Sequence, residues 1–314
     1  MQQTLLLFLL LLLPLKICSQ PASPTHNQAQ SKNSLLRQPL TPVKQQHTID
    51  TCTSNESKAE AIFNHYVQHI TPYRDASMQI VLEQTAHFFL GTPYVAGTLD
   101  SGDKNEQLVV NLHQMDCFTY VENVIALSKT ALSDSLTFEG FKAHLQNIRY
   151  RDGALSDYSS RLHYTSDWIY NNQEKGIVEN ISQQLSAVKE TKAINFMSTH
   201  RSAYRQLAHN DAMLEKIKQT EQQINNREGY YYLPKQDIAA MASHIPHMAV
   251  VGIATTIDGL DTTHIGFAYH KDGVLGFIHA SSLKNEVVID SNTLSDYCLG
   301  QSRCKGVVVA KMVW

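Results

Sequence analysis

Three observations predict an α+β fold for this chain, with helices first and an antiparallel sheet after. Apolar residues recur at helical spacing from Lys58 to about residue 226. From Met248 onward they fall in short β-type runs, punctuated by Asp258-Gly259 and Asp272-Gly273, both strong hairpin turns. Cys117 stands after Asp116 and ahead of the apolar run Val121 to Leu127, at the expected start of a helix. Helices grouped before strands argue for segregated α+β layers. No internal repeat is evident.

Each element follows in order. Thr4 to Leu15 is an apolar run of about a dozen residues, too short to span a bilayer comfortably. It reads as the core of a signal peptide over residues 1–19, with cleavage near Ile17-Cys18-Ser19 or Ala22. Lipidation of Cys18 is disfavoured because Lys16-Ile17 lacks the small residues required, so no stable membrane anchor is expected after cleavage. Residues 20–57, rich in Gln, Ser, Pro, Thr and Asn, read as a disordered leader or wall-spanning linker.

A single domain is expected over residues 58–314, with a helical and loop insertion over about 135–245. Ala61, Ile62, Tyr66 and Ile70 mark one helix; Ile80, Val81, Ala86 and Leu90 mark a second that stops at Gly91, ahead of Thr92-Pro93. Val121, Val124, Ile125 and Ser128 mark the helix after Cys117, and Phe138 to Ile148 a shorter one. A polar helix over 201–226 carries Tyr204, Leu207, Leu214, Ile217 and Ile224 on one stripe. Strands are expected over 249–257, 262–269, 274–280, 287–289 and 306–313, forming an antiparallel meander.

Bulk composition narrows the function. The net charge is −3, from 26 basic and 29 acidic residues with no basic block, so nucleic-acid binding has no electrostatic support. An exported chain meets an oxidising compartment, in which Cys298 and Cys304 are close enough in sequence to pair. Cys52 lies in the leader, which leaves Cys117 as the natural free thiol if that bridge forms. No CxxC spacing is present, and His244 and His247 flank Pro246, so neither a zinc ribbon nor another metal site is expected; no cofactor is expected either.

Cys117 is the expected nucleophile. A helix N-terminus offers unpaired N–H groups and the positive end of the macrodipole, which favour a thiolate. With Asp272-Gly273 as a two-residue loop, Lys271 faces Val274 and His264 falls opposite Ser281. His279 is then the diagonal neighbour of His264 on the same face, about 7–8 Å away. His264 can serve as base and His279 as its orienting partner. The N–H of Cys117 can stabilise an oxyanion. Asp116 is placed as N-cap, although no Glu or Gln stands three positions on to complete a capping box. A cysteine at the start of an apolar helix also fits a buried small hydrophobe.

Phe89-Leu90-Gly91-Thr92-Pro93-Tyr94, Met115-Asp116-Cys117, His264-Ile265-Gly266-Phe267-Ala268 and Ile278-His279-Ala280 resemble the motifs of the NlpC/P60 papain-like cell-wall cysteine hydrolases. The resemblance covers roughly residues 80–130 and 245–313. The middle segment, with Tyr150-Arg151-Asp152-Gly153, Asp157-Tyr158, Arg161-Leu162-His163-Tyr164 and Asp167-Trp168-Ile169, resembles the N-acetylmuramoyl-L-alanine amidase-like branch. The resemblance implies a papain-like fold: N-terminal helices, the nucleophile at a helix start, and an antiparallel meander or partly open barrel.

It further implies Cys117, His264 and His279 as catalytic triad, Tyr94 as an oxyanion or substrate contact, and cleavage of the MurNAc–L-Ala bond in peptidoglycan or muropeptides. Endopeptidases of the superfamily carry Ser where this chain has Phe118, and use it with the motif's Tyr and Asp (here Tyr94 and Asp116) to bind a free amine. Phe118 puts amine recognition in doubt and suits an amidase, whose substrate nitrogen is acylated. Arg151 and Arg161 suit stem-peptide carboxylates, and Tyr164 and Trp168 a sugar face, with His163 beside them; the same residues equally suit a loop buried by its own aromatics. A γ-D-glutamyl-diaminopimelate endopeptidase and a non-catalytic wall-binding protein are the alternatives. The expected protein is a periplasmic or secreted bacterial monomer.

Overall fold

The computed structural model describes residues 55–100, 105–186, 188–227 and 229–314. The expected signal peptide, most of the leader, Cys18 and Cys52 lie outside the described residues. The described residues all belong to one compact unit. No helix among the described residues is long and apolar enough to cross a membrane.

The longer helices are α1 (Asn55–Ile70), α2 (Met78–Phe88), α3 (Cys117–Leu132), α4 (Phe138–Arg149), α5 (Thr165–Glu174), α6 (Asp211–Asn225) and α7 (Leu294–Leu299). Strands β1 (Val178–Asn180), β2 (Leu233–Pro234), β3 (Val250–Thr255), β4 (Thr262–Lys271), β5 (Val274–Ser281), β6 (Glu286–Ile289) and β7 (Cys304–Met312) make one antiparallel sheet. Its order is β1-β7-β3-β4-β5-β6, an open path with β2 also paired to β7, and not a closed barrel.

The hairpin β4–β5 has the expected register, Lys271 against Val274 and Phe267 against Ile278. Asp272 and Gly273 both have positive φ, as a type I′ turn requires. The meander holds only from β3 to β6. The last strand crosses back to pair with β3, and β1, absent from the sequence reading, caps that edge. Asp258-Gly259 lies inside a six-residue connection rather than a tight hairpin turn. At the start of β4, His264 pairs with Ile253 but Thr262 with Ala254, leaving Thr263 as an extra residue. Such a bulge re-aims the neighbouring side chains.

One face of the sheet, with Val250, Ile265, Phe267, Ile278 and Val308, packs on the first five helices. The other face, with Val251, Ile253, Phe277, Val307 and Val309, is covered by α7 and the segment containing Ile238 and Ile245. Helix α3 runs through the middle: Tyr120, Val121, Val124, Ile125 and Leu127 are fully buried, each contributing about 1.5–3 kcal/mol. Its one buried carboxylate, Glu122, accepts from Arg149 Nε of α4 at 2.7 Å.

Three helix expectations shift. In α1 the buried face is Ala59, Phe63, Tyr66 and Ile70; Ile62 packs partly buried against the same core, whereas Ala61 is exposed. In α2, Ile80 is exposed; the helix ends at Phe88, and Leu90 and Gly91 follow it. The polar helix begins only at Asp211, where the Asn210 side chain accepts from the N–H of Met213. Tyr204 and Leu207 precede it in short turns, yet pack into the same small core as Ile217 and Ile224. The segment expected as an insertion is partly integral, since Phe141, Leu145, Ile148, Trp168 and Val178 belong to the main core.

Candidate active site

Helix α3 starts as the sequence implies, but its cap is more complete. Asp116 Oδ1 accepts from Thr119 N at 2.8 Å, and Thr119 Oγ1 accepts from Asp116 N at 2.9 Å. A threonine thus closes the capping box that sequence inspection left open. The cap fixes Cys117 as the first helical residue. Its half-buried sulfur lies against the backbone N–H groups of Ile265, Phe118 and Cys117 itself.

Those N–H groups favour a thiolate, but burial and then the adjacent Asp116 carboxylate outweigh them and push the thiol up to about 12. The sulfur therefore rests protonated, contrary to the expectation from the helix N-terminus alone.

Ile265 is the residue after His264. From the bulged start of β4, His264 places Nε2 at 2.6 Å from Nδ1 of His279 on β5. The rings meet nearly edge to face, at 87°. Burial, followed by repulsion from His279, holds His264 down to about 3, so its imidazole is neutral. His279 is also lowered by burial, partly opposed by the Asp290 carboxylate, whose Oδ2 lies 3.4 Å from Nε2.

Gly266 makes room for this contact. A Cβ at that position would stand 2.7 Å from the carbonyl oxygen of Ile278 and 2.8 Å from the Cβ of His279.

Tyr94 reaches the site along an extended segment. Tyr94 N donates to Asn285 O, Val287 N to Thr92 O, and Val95 N to Met115 O, which ties residues 92–95 to both β6 and the approach to Cys117. Burial raises its phenol, with smaller contributions from Cys117 and Asp116. Tyr94, Asp116 and Cys117 therefore share one electrostatic environment. Tyr297 of α7, which sequence reading did not single out, joins it. Its ring packs on Phe277, His279 and His264, and burial foremost raises its phenol to about 12, with Cys117 among the lesser causes.

The remaining expected substrate residues are engaged internally. Arg151 forms a fork on Asp167, which Arg227 also contacts at 2.8 Å. Arg161 grips Glu106 through Nε and Nη2. His163 Nε2 lies 2.8 Å from the carbonyl oxygen of Tyr158, and burial holds its imidazole down to about 3. Tyr164 donates to Glu221 and accepts from the N–H of Met197. Trp168 is fully buried with Phe118 edge-on against it, and has no face open to a sugar.

Cys298 and Cys304 are buried neighbours whose thiols hydrogen-bond to each other without a bridge. Among the described residues, no group of three or more His, Cys, Asp or Glu is arranged to hold a metal ion.

The model of the N-acetylmuramoyl-L-alanine amidase-like family matches residues 84–304. Among solved structures, an N-acetylmuramoyl-L-alanine amidase from Bacteroides uniformis ATCC 8492 is 32% identical, with TM-score 0.68, covering 76% of this chain and 99% of its own. A Bacteroides fragilis protein provisionally described as a xylanase is 33% identical, with TM-score 0.68, over 73% of this chain and 99% of its own. A Legionella pneumophila protein shares the fold at 23% identity and TM-score 0.62, over 83% of this chain and 96% of its own. No curated protein matches the chain. This protein, whose Cys117, His264 and His279 all lie inside the matched region, belongs to the N-acetylmuramoyl-L-alanine amidase-like family.

Proposed function

We propose that the protein is an exported cysteine amidase of the papain-like NlpC/P60 type that hydrolyses the MurNAc–L-Ala amide bond of peptidoglycan or muropeptides. The observation that carries this reading is the Cys117 sulfur seated on the N–H of Ile265, the residue that follows His264, whose imidazole is itself hydrogen-bonded to His279. The apolar run Thr4 to Leu15 supports export to the periplasm or beyond.

In this mechanism His264 takes the thiol proton as sulfur attacks the lactyl carbonyl carbon. The Cys117 N–H and the Tyr94 hydroxyl hold the oxyanion. The C–N bond then breaks as His264 returns the proton to the L-Ala nitrogen, leaving a thioester. Water, deprotonated by His264, attacks the thioester, and the muramyl carboxylate and free thiol are regenerated. Because thiol and imidazole are both neutral at rest, proton transfer accompanies attack.

The test is product analysis of a disaccharide-tetrapeptide by mass spectrometry. Release of the whole tetrapeptide supports the amidase. A split after D-Glu moves the protein to the endopeptidases, and binding without cleavage makes it a wall-binding module.

A further inference from the structure

We propose that Asp290 is a positioning residue that fixes the tautomers of His279 and His264, leaving Nδ1 of His264 as the basic lone pair. This rests on the reading of Cys117 and His264 as nucleophile and base. Asp290 follows β6, and its N–H donates to the carbonyl oxygen of Phe277 at 2.8 Å, which fixes the residue over β5. Its Oδ1 accepts from Asn292 N at 2.8 Å and from Asn292 Nδ2 at 2.9 Å. Its Oδ2 faces His279 Nε2 at 3.4 Å, the long end of a hydrogen bond, of the kind that tightens when substrate fills a site.

An ionised carboxylate only accepts, so the nitrogen facing it must carry the proton. A neutral imidazole has one N–H. His279 is therefore protonated on Nε2 and presents a lone pair at Nδ1. That lone pair lies 2.6 Å from Nε2 of His264, a contact that needs one proton between the two nitrogens. The proton belongs to His264 Nε2, and the only lone pair left on His264 is Nδ1. Phe277, stacked on His279 at 4.6 Å, and Tyr297, packed on both imidazoles, hold the rings in these orientations. When His264 gains a proton at Nδ1, the new positive charge faces a relay that ends in the Asp290 carboxylate.

The test is 15N–1H NMR of the imidazoles in the full-chain protein and in Asp290→Asn, alongside kinetics on a muropeptide. The wild type is expected to show His264 and His279 both as Nε2–H tautomers. The amide introduced by Asp290→Asn can donate to His279 Nε2, so both rings should switch to Nδ1–H. Its kcat/KM should fall by about a hundredfold or more with KM little changed, as for other groups that orient a catalytic imidazole. Asp290→Glu should retain the wild-type tautomers and recover part of the rate.

A wild-type spectrum with the proton on His264 Nδ1 would overturn the proposal. So would an Asp290→Asn protein that keeps both tautomers and stays within about twofold of the wild-type rate. The NMR measurement needs no substrate, so it decides the tautomers even if the muropeptide reading fails. It also decides on the wild type alone if Asp290→Asn does not fold.

Discussion

Nε2 of His264 lies 2.6 Å from Nδ1 of His279, a direct contact between adjacent strands of one hairpin. It exists because Asp272-Gly273 sets the register and because Gly266 carries no side chain. Adding a methyl group at Gly266 forces His279, Phe277 or the backbone of β5 to shift. Gly266→Ala should lower kcat/KM by about 10- to 100-fold, the scale of a misplacement near 1 Å. Overpacking should also cost about 1–3 kcal/mol of stability. Steady-state kinetics and urea unfolding check both; unchanged activity would show that the hairpin yields at no cost.

The hairpin is where the sequence was most informative. Turn chemistry and the period of two were enough to place both histidines on one face, and the Asp-Cys step at an apolar run placed Cys117 at the start of a helix. Asp290 and Tyr297 were not legible. The connection after β6 folds back over β5 and α7 covers the sheet, and neither placement follows from local spacing. Arg151 and Arg161 looked available because their partners, Asp167 and Glu106, are distant in sequence. The crossing of β7 to β3 was hidden for the same reason: a final strand pairs wherever the long-range fold leaves an edge.

A second prediction concerns pH. His264 and His163 are held down to about 3 and His279 is lowered as well, chiefly by burial. Unfolded imidazoles titrate near 6.5, so below that pH the unfolded chain binds protons that the native state refuses. Stability present above pH 6.5 is therefore lost as pH falls toward about 3. The Cys117 thiol acts at the other end. It is raised from 9.0 to about 12, so stability is lost as pH rises through that interval. Urea midpoints should be highest between about pH 6.5 and 9; a midpoint that rises from pH 7 to pH 5 would contradict the burial of these rings as neutral species.

The raised thiol also has a chemical consequence. Iodoacetamide reacts with the thiolate, so Cys117 in the resting protein should be alkylated more than tenfold more slowly at pH 7 than a free cysteine. The rate should climb with pH beyond the ordinary thiol range. Rapid alkylation at pH 6 would instead indicate a preformed thiolate–imidazolium pair.

Stability should hinge on one ion pair beneath the site. Glu122 and Arg149 are each 2% exposed, and Arg149 also donates to the carbonyl oxygen of Val109. Arg149→Ala leaves the Glu122 carboxylate buried without its partner, and should cost about 3–5 kcal/mol. Lys142→Ala, which breaks surface pairs with Glu56 and Glu139, should cost no more than about 1 kcal/mol. Chemical denaturation separates the two, and equal losses would refute the role given to burial.

The most direct test of the central claim is intact-protein mass spectrometry after acid quench of the leader-free enzyme turning over a disaccharide-tetrapeptide. A covalent adduct with the mass of the muramyl disaccharide acyl group should appear on Cys117, with free tetrapeptide in solution, and both should vanish in Cys117→Ala. Tetrapeptide release that persists in Cys117→Ala would contradict cysteine catalysis at this site.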